Sequence, residues 1–136
     1  MIAVDTNVVV RFLVNDDKAQ ARRARALFER EEVFIATTAL LETEWVLRGA
    51  YGFAPQQIET FLRGLLGLPV ARTERPLQLA LALDAYSAGL DFADALHLLA
   101  ATGADVKPRV FTASIFDCGA ERASTYPECR RPRRER

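Results

Sequence analysis

Several residue types are scarce in this sequence, and each scarcity excludes something. There are two cysteines, Cys118 and Cys129, in 136 residues. Two thiols make neither a disulfide framework nor a zinc site, and they read as reduced cysteines of a cytosolic protein. The one histidine is His97. A Ser–His–Asp triad would have to use it, and no serine sits in a nucleophile-elbow context. The seven glycines form neither a phosphate-binding loop nor a dinucleotide-binding fingerprint. No apolar run approaches the ~18–20 residues of a membrane span, and no basic segment followed by a long apolar stretch opens the chain. The expected setting is the cytoplasm, with no membrane.

What remains is an ordinary globular composition, 50% hydrophobic and 26% charged, at the size of one domain. Net charge is zero, but residues 128–136 hold five arginines and two glutamates, which leaves residues 1–127 with 13 basic and 16 acidic groups. Residues 126–136 read as a basic, mobile tail, because like charges and Pro132 oppose packing. Residues 1–125 read as the folded domain.

Short apolar runs alternate with helical patterns. Residues 2–4 read as a buried strand, stopped by Asp5-Thr6-Asn7. A short helix follows over 8–14, capped by Thr6 or Asn7. Asp16 and Asp17 open a charged helix to about residue 30, with Ala21, Ala24, Leu27 and Phe28 on one face. Residues 33–36 are the second strand. A helix capped by Thr37 or Thr38 then runs to about Tyr51. Pro55 suits the first turn of the next helix. A third short strand follows Pro69 and Val70, and Pro76 starts a helix closed by Gly89. Asp91 opens another through Ala101, and residues 109–112 form a last strand. This order predicts an α/β fold, a mostly parallel sheet of four to five strands covered by helices on both faces. In such sheets the functional crevice lies at the carboxyl ends of the strands.

Acidic residues fall at that edge. Asp5 directly follows the first strand, so its carboxylate is expected in the crevice or on the next helix as an N-cap. In Leu40-Leu41-Glu42-Thr43-Glu44-Trp45-Val46, helical spacing makes Leu41 and Trp45 core together with Leu40 and Val46, puts Glu42 at the border of the apolar stripe, and places Glu44 farther round in solvent. Asp91 and Asp94 are spaced like a capping box at the start of a largely apolar helix expected to be buried on most sides. His97, one turn later, reads as a packed or hydrogen-bonded residue rather than a ligand. Carboxylates converging on one crevice repel each other unless a hard divalent cation such as Mg²⁺ or Mn²⁺ joins them. Such a site activates water for phosphodiester hydrolysis. Arg11, Lys18, Arg22, Arg23 and Arg25, on the early helices, are the candidates to hold the phosphates of such a substrate.

Three ordered motifs carry a resemblance. Ile2-Ala3-Val4-Asp5-Thr6-Asn7-Val8, Leu41-Glu42-Thr43-Glu44-Trp45 through Arg48, and Gly89-Leu90-Asp91-Phe92-Ala93-Asp94-Ala95-Leu96-His97 resemble the PIN domain, and more narrowly the VapC toxins of type II toxin–antitoxin systems. The resemblance covers residues 1–125. It implies a three-layer PIN-like fold, a Mg²⁺- or Mn²⁺-dependent endoribonuclease, a cognate VapB-like antitoxin and a homodimer. It assigns Asp5, Glu42 and Asp94 as the catalytic, metal-holding acids, Thr6 and Asn7 as the polar supports of Asp5, and Asp91 as an accessory acid. It departs from the family where an aspartate is expected after the last strand. Ser114 stands there, and Asp117 follows three residues later.

Three other readings compete. One is a weakly active or inactive PIN-like module that binds RNA or protein without cleaving it. A second is a haloacid-dehalogenase-like phosphatase, which also follows its first strand with Asp. Here Asn7 replaces that family's second acid, and neither of the only lysines, Lys18 and Lys107, is suitably placed. The third is a structural α/β protein with solvated acids.

Overall fold

The computed structural model describes residues 1–102. Each of three strands is followed by a pair of helices. Strand β1 (Ile2–Val4) leads into α1 (Thr6–Val14) and α2 (Lys18–Arg30). Strand β2 (Val33–Ile35) leads into α3 (Thr37–Gly49) and α4 (Pro55–Leu66), and β3 (Ala71–Arg72) into α5 (Pro76–Ser87) and α6 (Phe92–Thr102). The sheet is parallel throughout, in the order β1-β2-β3, with Ala3 beside Phe34 and Phe34 beside Arg72. The α/β class and the parallel sheet agree with the sequence reading. Three strands are present among the described residues, against the four to five expected. The strand expected at 109–112 and the tail lie outside the described residues.

Covering of both sheet faces is incomplete among the described residues. Val33 and Ile35 of β2 are fully buried in the core, with Ile2 and Val4 packed against them. On the opposite face Ala3 and Arg72 are exposed and Phe34 is half-buried. Strands of two or three residues present one side chain each to that face. One is a small alanine, and another is an arginine whose head pairs with Glu32 at 2.7 Å.

Local chemistry explains most element ends. Asp17 caps α2, its carboxylate accepting from the N–H groups of Ala19 and Gln20. Pro55 and Pro76 sit at the first positions of α4 and α5, where the missing N–H costs no intrahelical bond. Gly89, at φ 97°, turns the chain from α5 towards α6 in a conformation that side-chain-bearing residues avoid. Two caps differ from expectation. Asp5, not Thr6 or Asn7, caps α1. Neither Thr37 nor Thr38 caps α3, whose N-cap is Ala36. Glu74, following β3, supplies the missing acceptor by taking hydrogen bonds from the Thr37 N–H at 2.9 Å and the Thr37 hydroxyl at 2.6 Å. Burial raises the Glu74 pKa, but these bonds outweigh it and hold the carboxyl below its ordinary range.

Helix α3 buries Leu40 as expected, but it is turned so that Leu41 and Val46 are only half-buried and Trp45 is exposed. Its inward stripe is Ala39, Leu40, Thr43, Glu44 and Leu47. Glu44 is 1% exposed, whereas Trp45 is 49% exposed. The expectation of a core Trp45 and a solvated Glu44 is thereby reversed. Two polar residues in the inward stripe hide its period, and each finds an acceptor or donor. The Thr43 hydroxyl donates to the Ala39 carbonyl at 2.7 Å, and Glu44 is met from both sides as described below. Helix α6 is also less buried than expected. Phe92 and Ala95 lie in the core, Leu96, Leu98 and Leu99 are half-buried, and His97 is exposed.

Candidate active site

Asp5 stands at the carboxyl end of β1. Its Oδ1 accepts the Val8 N–H at 3.0 Å. That bond aims the carboxylate along the first turn of α1, where the helix dipole favours negative charge. The next residue, Thr6, donates its hydroxyl to Glu42 Oε2 at 2.6 Å. An acid of α3 is thus fastened to the residue beside Asp5 from 36 positions away. Both Asp5 and Glu42 are exposed, and Asn7 beside them is exposed as well.

Asp91 and Asp94 share the start of α6. Asp91 Oδ1 accepts the N–H groups of Ala93 at 2.9 Å and Asp94 at 3.3 Å. The capping role read from the i, i+3 spacing is therefore present. Asp94 lies in the first turn, half-buried. Ser114 and Asp117 lie outside the described residues.

The basic candidates divide into two rows, because successive helical residues turn by about 100°. Gln20, Arg23 and Leu27 face α1, and with Asn7, Val8 and Arg11 they line a groove of about 260 Å³. Lys18, Arg22 and Arg25 are exposed on the opposite flank of α2. Arg11 is bound to Asp16, with its Nη1 at 2.6 and 2.7 Å from the two carboxylate oxygens, and the Tyr51 hydroxyl donates to the same carboxylate at 2.6 Å.

The Arg11 guanidinium and then the Tyr51 hydroxyl hold the Asp16 carboxyl down to about 2. A depressed folded-state value stabilises the fold above the unfolded carboxyl's ~3.9, and this contribution is lost as pH falls through about 2. We predict that a carbon-detected titration finds the Asp16 midpoint near 2 in the native protein. Tyr51→Phe should move it upward. An Asp16 midpoint at the ordinary aspartate value would show that the three groups do not meet in solution.

Sequence reasoning missed three polar contacts. They are the Asp16–Tyr51 bond, the Glu74–Thr37 bonds and the buried Glu44. The Glu44 carboxylate accepts from Arg48 Nε at 2.8 Å and from the Tyr86 hydroxyl at 3.0 Å. Burial, then the charge of Glu44, push the Tyr86 phenol far above its ordinary value, so it remains a donor at physiological pH. Only the i, i+4 spacing of Glu44 and Arg48 was visible as a signal.

Asp5 and, through Thr6, Glu42 stand at the carboxyl end of β1 of a parallel α/β sheet, oxygen donors of the kind a hard cation takes. The family model for the PIN domain matches residues 2–113, and the chain belongs to the PIN domain family. No curated protein and no solved structure matches it. PIN domains are generally metal-dependent nucleases, and membership sets aside the haloacid-dehalogenase-like alternative. The donors agree in kind with a divalent ion. Asp5 uses one carboxylate oxygen on Val8, and Glu42 uses one on Thr6. They are not gathered into a closed shell, because no three acidic, histidine or cysteine side chains among the described residues converge closely enough to hold an ion. No helix among the described residues is long and apolar enough to cross a membrane.

Proposed function

We propose that this protein is a Mg²⁺- or Mn²⁺-dependent endoribonuclease of the VapC type, the toxin of a cytoplasmic type II toxin–antitoxin pair. In this reading it acts as a homodimer neutralised by a VapB-like antitoxin. The observation that carries the reading is the Thr6–Glu42 bond, which draws an acid of α3 to the residue beside Asp5 in a chain of the PIN family. Residues 1–125 form the nuclease domain in this proposal, and 126–136 a basic tail.

Asp5, Glu42 and Asp94 would hold the metal, which when bound supplies a Lewis acid and an activated water to the phosphodiester. Thr6 orients Glu42 through its hydroxyl. Asn7 faces the α1–α2 groove and can donate to a phosphate oxygen. Asp91 holds the first turn of α6, which carries Asp94. Asp117 would supply a fourth acid, or the site would work with three acids and Ser114. Arg23 is the best-placed phosphate ligand, since it shares a groove with Asn7. Arg11 would first have to leave Asp16. Lys18, Arg22 and Arg25 would meet only RNA that wraps over α2.

Incubation of the protein with structured RNA and with DNA of the same sequence, with Mg²⁺ or EDTA, tests the proposal. Cleavage of RNA alone, dependent on metal, supports it. RNA binding without cleavage would favour the second reading, a PIN-like binding module, which the open arrangement of the acids supports. Arg23→Ala should reduce the dependence of log K on log salt by about 0.7 for single-stranded RNA. An unchanged slope would place Arg23 on a merely solvated helix face. Co-purification from the native operon with no small partner would count against the antitoxin.

A further inference from the structure

Glu44 takes no part in the acidic edge, yet it is the most enclosed charged side chain among the described residues. A carboxylate shut away from water is a poor way to fill a core, because a well-packed apolar residue of similar size does so without the desolvation cost. Its partners show what it holds. Arg48 comes from the same helix, and Tyr86 comes from α5. Tyr86 works in two directions. Its hydroxyl meets Glu44, and its ring packs at 5.4 Å against that of Phe92, the first residue of α6 and fully buried. That same first turn of α6 is held by Asp91, whose negative charge also acts on Arg48.

We infer that Glu44, Arg48 and Tyr86 form a positioning network that fixes the first turn of α6, and with it Asp94, against α3. Helix α3 then serves as the spacer between two acids. Glu42 and Glu44 are two residues apart, about 200° around the helix axis. One side of α3 therefore carries the carboxylate bonded to Thr6, and the other carries the network that locates α6. The aromatic pair supplies packing that many orientations would satisfy. The hydrogen bonds to Glu44 are directional and select one of them. Shortening or loosening the network alters the separation of Glu42 and Asp94 without touching either. The functional consequence rests on the nuclease reading. The positioning itself does not.

The test uses Tyr86→Phe, which removes one hydroxyl, and Glu44→Gln, which keeps shape and an acceptor but loses the charge. Native-state amide hydrogen exchange is read at Ala93 and Asp94, whose N–H groups are capped by Asp91. Each variant should accelerate exchange there about tenfold, the equilibrium worth of one hydrogen bond. Exchange at Val33 and Ile35 should not move. The double variant should add little to the larger single effect, as for residues acting as one unit. In the same variants the Mn²⁺ concentration for half-maximal binding should rise about tenfold, and kcat should fall with KM for RNA unchanged. A purely structural role would shift unfolding but would not produce that split. Unchanged exchange at Ala93 and Asp94 in both variants overturns the inference, whatever the activity. Wild-type protein that neither binds Mn²⁺ nor cleaves RNA overturns the nuclease reading instead, and exchange still decides the positioning.

Discussion

Asp5→Asn is expected to lower metal-dependent RNA cleavage by about a thousandfold, the scale of losing several kcal/mol of charge stabilisation at a metal site. The variant should unfold at the wild-type temperature or slightly above it. The two effects separate because Asp5 has two functions in this reading. Its Oδ1 caps α1 through the Val8 N–H, and asparagine is as good an N-cap as aspartate. Its charge is what a cation would need, and asparagine lacks that charge. Removing it also relieves repulsion from the neighbouring Glu42. Asp5→Ala is the informative companion. It should be equally inactive and should also lose about 1 kcal/mol of stability with the cap. Cleavage assays and thermal unfolding of both variants check this, and wild-type activity in Asp5→Asn would remove Asp5 from the metal site.

The largest effect on stability is expected from Phe92→Ala. Phe92 is fully buried, and its ring meets that of Tyr86. Truncating a buried phenylalanine costs about 3–5 kcal/mol, because lost transfer energy is joined by the cavity left behind. Against a total of roughly 5–15 kcal/mol this is a large fraction, and it corresponds to a fall of about 10–20 °C in the unfolding midpoint. Leu77→Ala serves as the control. Leu77 is 81% exposed on the outer face of α5, and its truncation should change stability by less than about 0.5 kcal/mol. Thermal unfolding of the pair measures the difference. A small effect at Phe92 would mean that α6 is not anchored through its first turn.

What the sequence by itself determined is local. The alternation of short apolar runs with helical segments dictates an α/β chain. Asp17, Pro55, Gly89 and Asp91 mark element ends because each acts on backbone groups within a few residues of itself. Asp5, at the end of the first strand, was legible as a cap for the same reason, and as a candidate site residue. What only the tertiary structure decided involves partners far away in the chain. Glu44 is inside because Tyr86, 42 residues later, arrives with a hydroxyl. Asp16 binds Tyr51 across 35 residues, and Thr37 is capped by Glu74 across 37. In α3, Leu41 and Trp45 form as good an apolar row as Leu40 and Leu47, so hydrophobic spacing leaves the helix free to turn either side inward. The choice fell to packing, which buried a carboxylate because two helices, α3 and α5, could satisfy it together and left half of a tryptophan in water.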